Sequence, residues 1–173
     1  MIGFRPLAEA DLPLLQDWLG REHVRRWWRA ARTYDEIVEH YLRGGHEHFI
    51  IEIDGRSIGM IQTYLVAEYP EWQAVVGTDP GFAGVDLFIG EEELTGGGLG
   101  PQVLATFVRE VVFATQETIA CVATVEEANR RSWRAFEKAG FRHARDVMED
   151  GLPHRLMRLD RTLRSGRGST EDS

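Results

Sequence analysis

The chain has 173 residues, 43% of them hydrophobic and 28% charged, which is the composition of one globular domain long enough to bury a core. Its formal net charge of −8 argues against a nucleic-acid partner, because phosphate backbones favour a basic protein face. The same charge is compatible with a cationic small substrate, although charge that only keeps the protein in solution is the alternative.

Predicted elements in the first half of the chain begin with a short strand over residues 2–7 and a helix over Glu9–Leu19, whose apolar residues recur at helical spacing. A capping-box pattern then opens a helix over Thr33–Tyr41. Two strands, HFIIEI and SIGMIQTYLV, flank Asp54-Gly55, a strong hairpin signal. The acidic and aromatic stretch AEYPEWQAVVGTDPGFAG is expected to be a loop, and VDLFIG to be the next strand.

In the second half, LGPQVLATFVREVVFAT has the spacing of a helix with Pro101 in its first turn. TIACVATV is typical of a central strand covered on both faces. A helix over Asn129–Lys138 follows, and FRHARDVM and HRLMRLD form a hairpin around Asp150-Gly151. The order β-α-α-β-β-β-α-β-α-β-β predicts a single-domain α/β fold with a mixed central sheet over residues 1–163. The polar residues 164–173 are expected to be disordered.

The expected surroundings of the protein follow from its cysteine and its N-terminus. Cys121 lies in the apolar run TIACVAT, so we expect a buried thiol and no disulfide within the chain, which fits a reducing compartment. No basic region precedes an apolar one at the N-terminus, and no apolar run approaches the ~18 residues of a membrane span. We therefore expect a cytoplasmic protein without a membrane partner, as either a monomer or a homodimer.

The stretch LTGGGLGPQ places four glycines in the five positions from Gly96 to Gly100. A P-loop and a G-x-G-x-x-G dinucleotide fingerprint are both excluded, because the required lysine and the third glycine are missing. Since the stretch lies between a strand and a helix start, its bare backbone can turn unpaired N–H groups toward a phosphate. From this segment alone, a diphosphate site and a plain flexible connector are equally compatible.

Two motifs about thirty residues apart carry a family resemblance: Gly98-Leu99-Gly100 before a helix, and NRRSWRAFEKAGF from Asn129 onward. The first is similar to the end of the Q/R-x-x-G-x-G/A signature of GCN5-related N-acetyltransferases (GNAT), and the second to that family's N-x-x-S/A-x-x-x-Y/F-E-K-x-G-F segment. The resemblance implies a GNAT fold, acetyl-coenzyme A as cofactor, and a strand over Asp86–Ile89 beside its pantetheine arm. The implied cofactor contacts are Leu87, Phe88, Ile89, Gly96, Gly97, Gly98, Leu99, Gly100, Asn129 and Phe136.

Longer stretches resemble the aminoglycoside 6′-N-acetyltransferases in the same order: WLGREHVRRWW, SIGMIQTYL and TDPGFAGVDLFIGEEELTGGGLG, within roughly residues 4–160. This resemblance implies direct acetyl transfer to a primary amine of an aminoglycoside, most naturally the 6′-amine, with Asp86 as general base. The implied acceptor contacts are Trp27, Trp28, Gln62, Tyr64, Glu71, Trp72 and Glu126.

The residues themselves also single out Asp86, because a carboxylate in the apolar strand VDLFI is costly unless it faces a wet or charged cleft. An outward-facing strand acid is the alternative. Acids and aromatic faces suit ammonium groups and sugar rings, although core packing of the tryptophans and solvent exposure of Glu71 are equally open. His46 and His48 could share a metal, but no third ligand is evident, so we expect none.

Three positions depart from the family pattern. Thr95 stands where Gln or Arg is usual, which leaves part of the phosphate grip missing or carried by backbone alone. Phe136 replaces the tyrosine that protonates the departing thiolate in many members, a step that solvent can take. Thr124 stands where aminoglycoside enzymes carry an aspartate, and Glu126 or Glu127 is the expected substitute.

The last departure leaves the acceptor open. A hydroxylysine siderophore precursor, a polyamine and a protein N-terminus are alternative amines for the same chemistry. A non-catalytic protein that binds coenzyme A or an aminoglycoside is the alternative from another class. The acidic, aromatic stretch over residues 68–79 favours a polycationic acceptor.

Overall fold

The computed structural model describes residues 1–77 and 80–162, so the disorder expected for residues 164–173 lies outside the described residues. The strands are β1 (Ile2–Pro6), β2 (Glu47–Ile53), β3 (Arg56–Leu65), β4 (Phe82–Ile89), β5 (Ala120–Glu126), β6 (Arg142–Glu149) and β7 (Leu152–Asp160). The α-helices are α1 (Leu12–Gly20), α2 (Glu22–Arg25), α3 (Tyr34–Leu42), α4 (Pro70–Val76), α5 (Leu99–Glu110) and α6 (Arg130–Lys138).

The strands form one mixed sheet in the order β1-β2-β3-β4-β5-β7-β6, which confirms the predicted fold class. Neighbouring strands are antiparallel except for β4 and β5. This parallel pairing is short, running from Phe82 opposite Ala120 to Gly84 opposite Val122. Beyond Gly84 the pairing stops, so among the described strands Val85–Ile89 pair only with β3. Because backbone groups need partners, this free side of β4 offers donors and acceptors to a ligand.

Two Asp-Gly turns close the hairpins that the sequence predicts. Asp54 and Gly55 both have positive φ, 48° and 81°, between β2 and β3. Asp150 and Gly151 repeat the arrangement with φ of 50° and 75° between β6 and β7. Two successive positive φ angles match the twist of the flanking strands, which is why Asp-Gly sets hairpin register.

Helices cover both faces of the sheet. On one face α5 and α6 bury Val103, Phe107 and Phe136. On the other face α1 and α3 cover Phe88, whose ring meets Trp18 edge to face at 6.2 Å between centroids. Cys121 is fully buried, as expected. The sheet therefore has an apolar core on each side.

One segment differs from the sequence prediction. A loop is expected over residues 67–84, but α4 forms within it, and β4 begins already at Phe82. Pro70 takes the first helical position, and Gly77 ends the helix with a left-handed φ of 58°. Only Val76 of this helix is fully buried, so its apolar periodicity is too weak to be read among the surrounding acids and aromatics.

Two further helical details differ from expectation. The four-residue helix α2 forms directly after α1, and the chain after α5 tightens into a 3-10 turn over Val112–Ala114 instead of continuing the helix. Within the described part of the chain, no helix has the length and apolar character that a membrane crossing requires.

Candidate active site

A cleft of about 460 Å³ opens where β4 and β5 separate. Its walls combine acids with aromatic rings, and Arg29 also lies on them. The acids are Asp86, Glu126, Glu149 and Asp150. The rings are Trp27, Trp28, His46, Tyr64, Tyr69, Trp72, Phe136 and His154. Such a lining suits a ligand with several ammonium groups and a ring-shaped body.

Asp86 projects from β4 into this cleft and is half-buried. Its Oδ2 accepts a hydrogen bond from Nε2 of Gln62 at 3.1 Å. Burial raises the pKa of Asp86 from 3.8 to about 6, the negative charge of Glu149 adds to the increase, and the bond from Gln62 opposes it. A carboxylate with this pKa is ionised near neutral pH yet basic enough to accept a proton, which is what a general base requires.

Five of the seven acceptor residues implied by the resemblance line the cleft together with Asp86: Trp27, Trp28, Tyr64, Trp72 and Glu126. Trp28 has a packing role as well, since its Nε1 donates to the Tyr41 hydroxyl at 2.8 Å and its ring meets Phe88. Trp28 therefore lies on the cleft wall and packs in the core as well, while its contact with an acceptor stays a prediction.

Gln62 and Glu71 lie elsewhere. Gln62 is 5% exposed and reaches the site only through its bond to Asp86, so strand register turns an expected acceptor contact into a partner of the acid. Glu71 lies exposed in the first turn of α4, while the next residue, Trp72, faces the cleft. The difference arises because the segment forms helix α4, which the sequence does not predict. Adjacent residues on a helix point in different directions.

Of the cofactor contacts that the resemblance implies on β4 and α6, some line the cleft and others do not. Leu87, Asn129 and Phe136 line the cleft. Asn129 also caps α6, accepting a hydrogen bond from the Ser132 N–H at 3.3 Å. Phe88 has its side chain buried in the core, and its backbone lies opposite Met60 on β3, so we find no direct ligand contact for it.

His23, to which the sequence assigns no chemistry, lies at the end of β4. Its Nε2 is 3.0 Å from the carbonyl oxygen of Ile89. The contact ties α2 to this strand end, so we assign His23 a structural role. Because His23 engages the Ile89 carbonyl, that oxygen is not available to a ligand.

The glycine stretch leads directly into α5, whose N-cap is Gly98. Gly96 and Gly98 have φ of 80° and 81°, in the left-handed region that side chains rarely adopt. A Cβ placed on Gly97 or Gly98 would meet no atom within 4 Å, so the loop faces open space. Free N–H groups and the helix dipole favour an anion at this position. The loop over residues 96–100, which we call the glycine cradle, therefore has the geometry of a phosphate-binding loop.

Of the three neighbouring side chains described next, only one adds a positive charge beside the loop. The hydroxyl of Thr95 donates to the Glu92 carbonyl at 2.7 Å, so it serves its own turn. Leu99 packs toward the core. Arg131 brings its Nη2 to 4.0 Å from the position of a Cβ on Gly96, which places a cation beside the loop. A phosphate at this loop would therefore be held mainly by backbone N–H groups, with Arg131 as the nearby positive charge.

Glu149 is the site acid that sequence reasoning missed. The Thr124 hydroxyl donates to its Oε2 at 2.7 Å, and the carboxylate lies in the cleft near Asp86. Of the two expected substitutes, Glu126 lies in the cleft and pairs there with Arg29, whereas Glu127 lies outside it and pairs with Arg155. No local signal links Thr124 to an acid 25 residues away, because only the folded hairpin brings them together.

Three histidines cluster beside the cleft. His40, His46 and His48 have ring centroids about 6 Å apart, and His46 stacks on Tyr64 with 4.3 Å between centroids. Burial lowers the pKa of each imidazole below its ordinary value. Across residues 1–77 and 80–162, no group of three or more His, Cys, Asp or Glu is arranged to hold a metal ion.

Comparison with known proteins places these features in context. The family model described as acetyltransferase (GNAT) domain matches residues 8–148. Aminoglycoside N(6′)-acetyltransferase type 1 of Klebsiella pneumoniae is 30% identical over 148 residues, covering 81% of this chain and 73% of that protein. Two crystal structures of aminoglycoside acetyltransferase AAC(6′)-Ib, one with coenzyme A and one with ribostamycin and coenzyme A, are each 29% identical with TM-scores of 0.84. They cover 93% and 92% of this chain, and 95% and 93% of their own.

Proposed function

The chain belongs to the GNAT acetyltransferase family, and from that premise we propose that it transfers acetyl from acetyl-coenzyme A to a primary amine of an aminoglycoside, with the 6′-amine as the acceptor position. The observation that carries the proposal is Asp86, a carboxylate with a pKa of about 6 in an acid-lined aromatic cleft beside the free side of β4. Relatives that are named for this activity and were solved with coenzyme A and ribostamycin support the choice of substrates.

The cofactor fits two features of this chain. The left-handed glycines of the cradle present backbone N–H groups to open space, where a pyrophosphate can approach without meeting a Cβ. The side of β4 that β5 leaves free offers backbone groups to an extended amide-containing arm. Asn129 and Phe136 lie on the cleft wall beside that strand. When bound, acetyl-coenzyme A supplies an activated acetyl thioester for attack by the amine.

Asp86 performs the proton chemistry. An ammonium group bound in the cleft must become a neutral amine before it can attack, and the ionised carboxylate takes that proton. Backbone N–H groups on the free side of β4 stabilise negative charge on the carbonyl oxygen, a contribution of about 3 kcal/mol per donor. Because Phe136 carries no hydroxyl, the departing thiolate takes its proton from solvent. Holding both substrates in one cleft supplies much of the remaining rate enhancement.

The acids around Asp86 bind the other ammonium groups of the acceptor. Glu149 is oriented by the Thr124 hydroxyl, and Glu126 by Arg29. Charge-assisted hydrogen bonds from ammonium to such carboxylates are the strong ones, and the aromatic walls cover the sugar rings. We propose that this reaction takes place in the cytoplasm, which agrees with the free thiol of Cys121.

The assay that tests the function follows thiol release from acetyl-coenzyme A with kanamycin, a polyamine or lysine as acceptor. We expect kcat/KM for kanamycin to exceed the values for the other two by about 100-fold or more, because only kanamycin offers both several ammonium groups and rings. Equal background release with all three would contradict an aminoglycoside acetyltransferase.

The acceptor position has its own test. Neomycin carries an amine at the 6′ position where paromomycin carries a hydroxyl, and the two are otherwise alike. A 6′-N-acetyltransferase should turn over neomycin and acetylate it at that nitrogen, as read by mass spectrometry of the product fragments, and should leave paromomycin at background. Comparable rates would assign the reaction to another amine.

Replacement of Glu149 by glutamine should raise KM for the polycationic acceptor about tenfold, because a charge-assisted hydrogen bond worth ~1.5 kcal/mol can no longer form. KM for acetyl-coenzyme A should not change. Removing the like charge also lowers the pKa of Asp86, so the acid limb of the kcat/KM profile should move to lower pH. Steady-state kinetics between pH 5 and 9 measure all three.

The matched control is Glu110→Gln, which neutralises an exposed acid paired with Arg109 outside the cleft. Its acceptor KM and pH profile should equal those of the wild type. An unchanged KM in Glu149→Gln would show that Glu149 does not contact the acceptor.

A further inference from the structure

A polar row crosses three strands at the edge of the cleft. In the sheet register His48 on β2 lies opposite Gln62 on β3, and Gln62 lies opposite Asp86 on β4. Directly opposed residues of antiparallel strands point to the same face, so these three side chains are neighbours. The next row on that face, Ile50 opposite Met60 opposite Phe88, is wholly apolar and buried. The sheet therefore changes from core to polar in one step, at the row that contains the proposed base.

Gln62 is the centre of this row. Its Nε2 donates to Oδ2 of Asp86 at 3.1 Å, which leaves Oε1 on the opposite side of the amide, toward the histidines. Gln62 interacts with the rings of both His46 and His48. An amide buried at 5% exposure cannot exchange partners with bulk water, so its orientation depends on these neighbours.

Three atoms here have no hydrogen-bond partner among the described residues although they are buried: Oε1 of Gln62, Nδ1 of His46 and Nε2 of His48. An amide oxygen only accepts, whereas each neutral imidazole has one donor and one acceptor nitrogen. The His48 ring also hydrogen-bonds the backbone carbonyl of Tyr41, which takes its Nδ1–H and leaves Nε2 as an acceptor. One bridging water that donates to this Nε2 and to Oε1, and accepts from the His46 Nδ1–H, satisfies the set, which would be costly to leave unpaired in a buried site.

We propose that His46 and His48 are positioning residues for Gln62, whose Oε1 their ring nitrogens hold, through one water, on the side away from Asp86. The amide is thereby kept with its Nε2–H on the carboxylate. This inference rests on the proposed role of Asp86 as general base. The opposite amide orientation would set Oε1 against the carboxylate, with two acceptors facing each other.

The consequence for Asp86 has a definite sign. A hydrogen bond to the ionised carboxylate favours the charged form, so the bond from Gln62 lowers the pKa of Asp86 against the effects of burial and of Glu149. Losing the amide orientation removes that donor and raises the pKa. His48 affects the base only through Gln62, because His48 does not line the cleft.

Several other ionisable groups lie around the row and must be distinguished from Asp86 in a pH profile. Tyr64 and Cys121 both interact with Asp86, and burial raises their pKa values further above neutrality. On the histidine side the row meets His40 and Tyr41 of α3, and burial lowers the pKa of the first and raises that of the second to about 12. The other ionisable neighbours are Glu149, described above, His154, which lies 3.8 Å from Glu149, and Tyr69, whose ring centroid is 5.0 Å from that of His46. Because burial lowers the pKa of each imidazole, the part of the acid limb that belongs to Asp86 is identified by its loss in Asp86→Asn, which leaves the imidazoles in place.

The test compares the pH dependence of kcat/KM for the acetyl acceptor in His48→Leu, Gln62→Leu and the double variant. We expect the acid limb to move to higher pH in both single variants, by about 0.5–1 pH unit, while kcat at the alkaline plateau changes less than about threefold. His48→Leu should add no further shift in the Gln62→Leu background, because its effect passes through the amide. His48→Gln, which keeps polar atoms at this position, should restore the limb.

If the acid limb of the kcat/KM profile does not move in folded His48→Leu, the proposal is wrong. It is also wrong if the shifts of the two single variants add in the double variant. Neither result would change the proposed role of Asp86 as the base. If Asp86→Asn keeps full turnover, the role of Asp86 as general base fails, whereas equal background thiol release with every acceptor would refute the proposed function itself. Should His48→Leu not fold, NMR of the wild type decides. A fixed amide gives a slowly exchanging Gln62 Nε2–H whose shift follows the titration of Asp86, whereas fast, averaged amide protons contradict the inference.

Discussion

Replacement of Asp86 by asparagine is expected to lower kcat by about 100-fold or more, the usual contribution of a general base, while the affinity for coenzyme A stays within about twofold. Asparagine has the same shape and its Oδ1 can still accept from Gln62, so the cleft keeps its architecture. What is lost is the ability to take a proton from the bound ammonium. Thiol-release kinetics measure the first quantity, and calorimetric titration with coenzyme A measures the second.

A matched control for this change is Asp54→Asn in the β2–β3 turn. The side chain of Asp54 is 77% exposed and its positive φ of 48° suits asparagine equally well. The variant should turn over substrate like the wild type. If Asp86→Asn did so too, Asp86 would have no part in proton transfer.

The same substitution should make the protein more stable above pH 6. Because burial raises the pKa of Asp86 from 3.8 to about 6, folding is most favourable below about pH 4, where the group is neutral in both states, and loses free energy as pH rises through 6. The loss accumulates between about pH 4 and pH 6 and is on the order of 3 kcal/mol at pH 7.5, because each pKa unit is worth ~1.4 kcal/mol. Asparagine never carries the charge, so urea unfolding should show a stability gain at pH 7.5 that vanishes near pH 4. A gain independent of pH would point to another cause.

The second large effect is expected at the glycine cradle. Gly98→Val should weaken coenzyme A binding by about 10–100-fold, because a β-branched residue is strained at a φ of 81° and its side chain occupies the space that a phosphate would enter. Each charge-assisted hydrogen bond from a backbone N–H to the phosphate is worth ~1.5–3 kcal/mol. The measurement is the dissociation constant of coenzyme A, taken for a folded sample.

Gly55→Val separates strain from binding. Gly55 has the same φ of 81° and the same open surroundings, but it lies in the β2–β3 hairpin. Both variants should lose a similar amount of unfolding free energy, about 1–3 kcal/mol, and only Gly98→Val should lose cofactor affinity. Equal affinities would remove the loop from the cofactor site.

Much of the fold could be predicted from local chemistry. Asp54-Gly55 and Asp150-Gly151 require left-handed backbone whatever surrounds them, so both hairpins follow from the sequence. Helix α4 could not be predicted in the same way, because its single fully buried residue, Val76, provides no periodic signal. Its existence depends on packing against the neighbouring elements, which local propensity does not contain.

The candidate site also contains one residue that the sequence indicates and two that depend on the folded structure. Asp86 is recognisable because an acid in an apolar strand is anomalous by itself, and the motifs of a known family add to it. Gln62 and Glu149 depend on tertiary neighbours: strand register places Gln62 against Asp86, and the β6–β7 turn brings Glu149 to Thr124. Neither pairing leaves a mark within a window of adjacent residues.

The distribution of acids over the sheet has a consequence for how such a protein can diversify. The proposed proton acceptor, Asp86, belongs to an inner strand and receives a hydrogen bond from a buried amide, whereas Glu149 ends the edge strand β6 and Asp150 begins the turn that follows it. Exchanging that turn should therefore retune which polyamines or antibiotics are accepted without rebuilding the catalytic machinery. New substrate ranges should arise first from substitutions at the few residues of the β6–β7 hairpin turn.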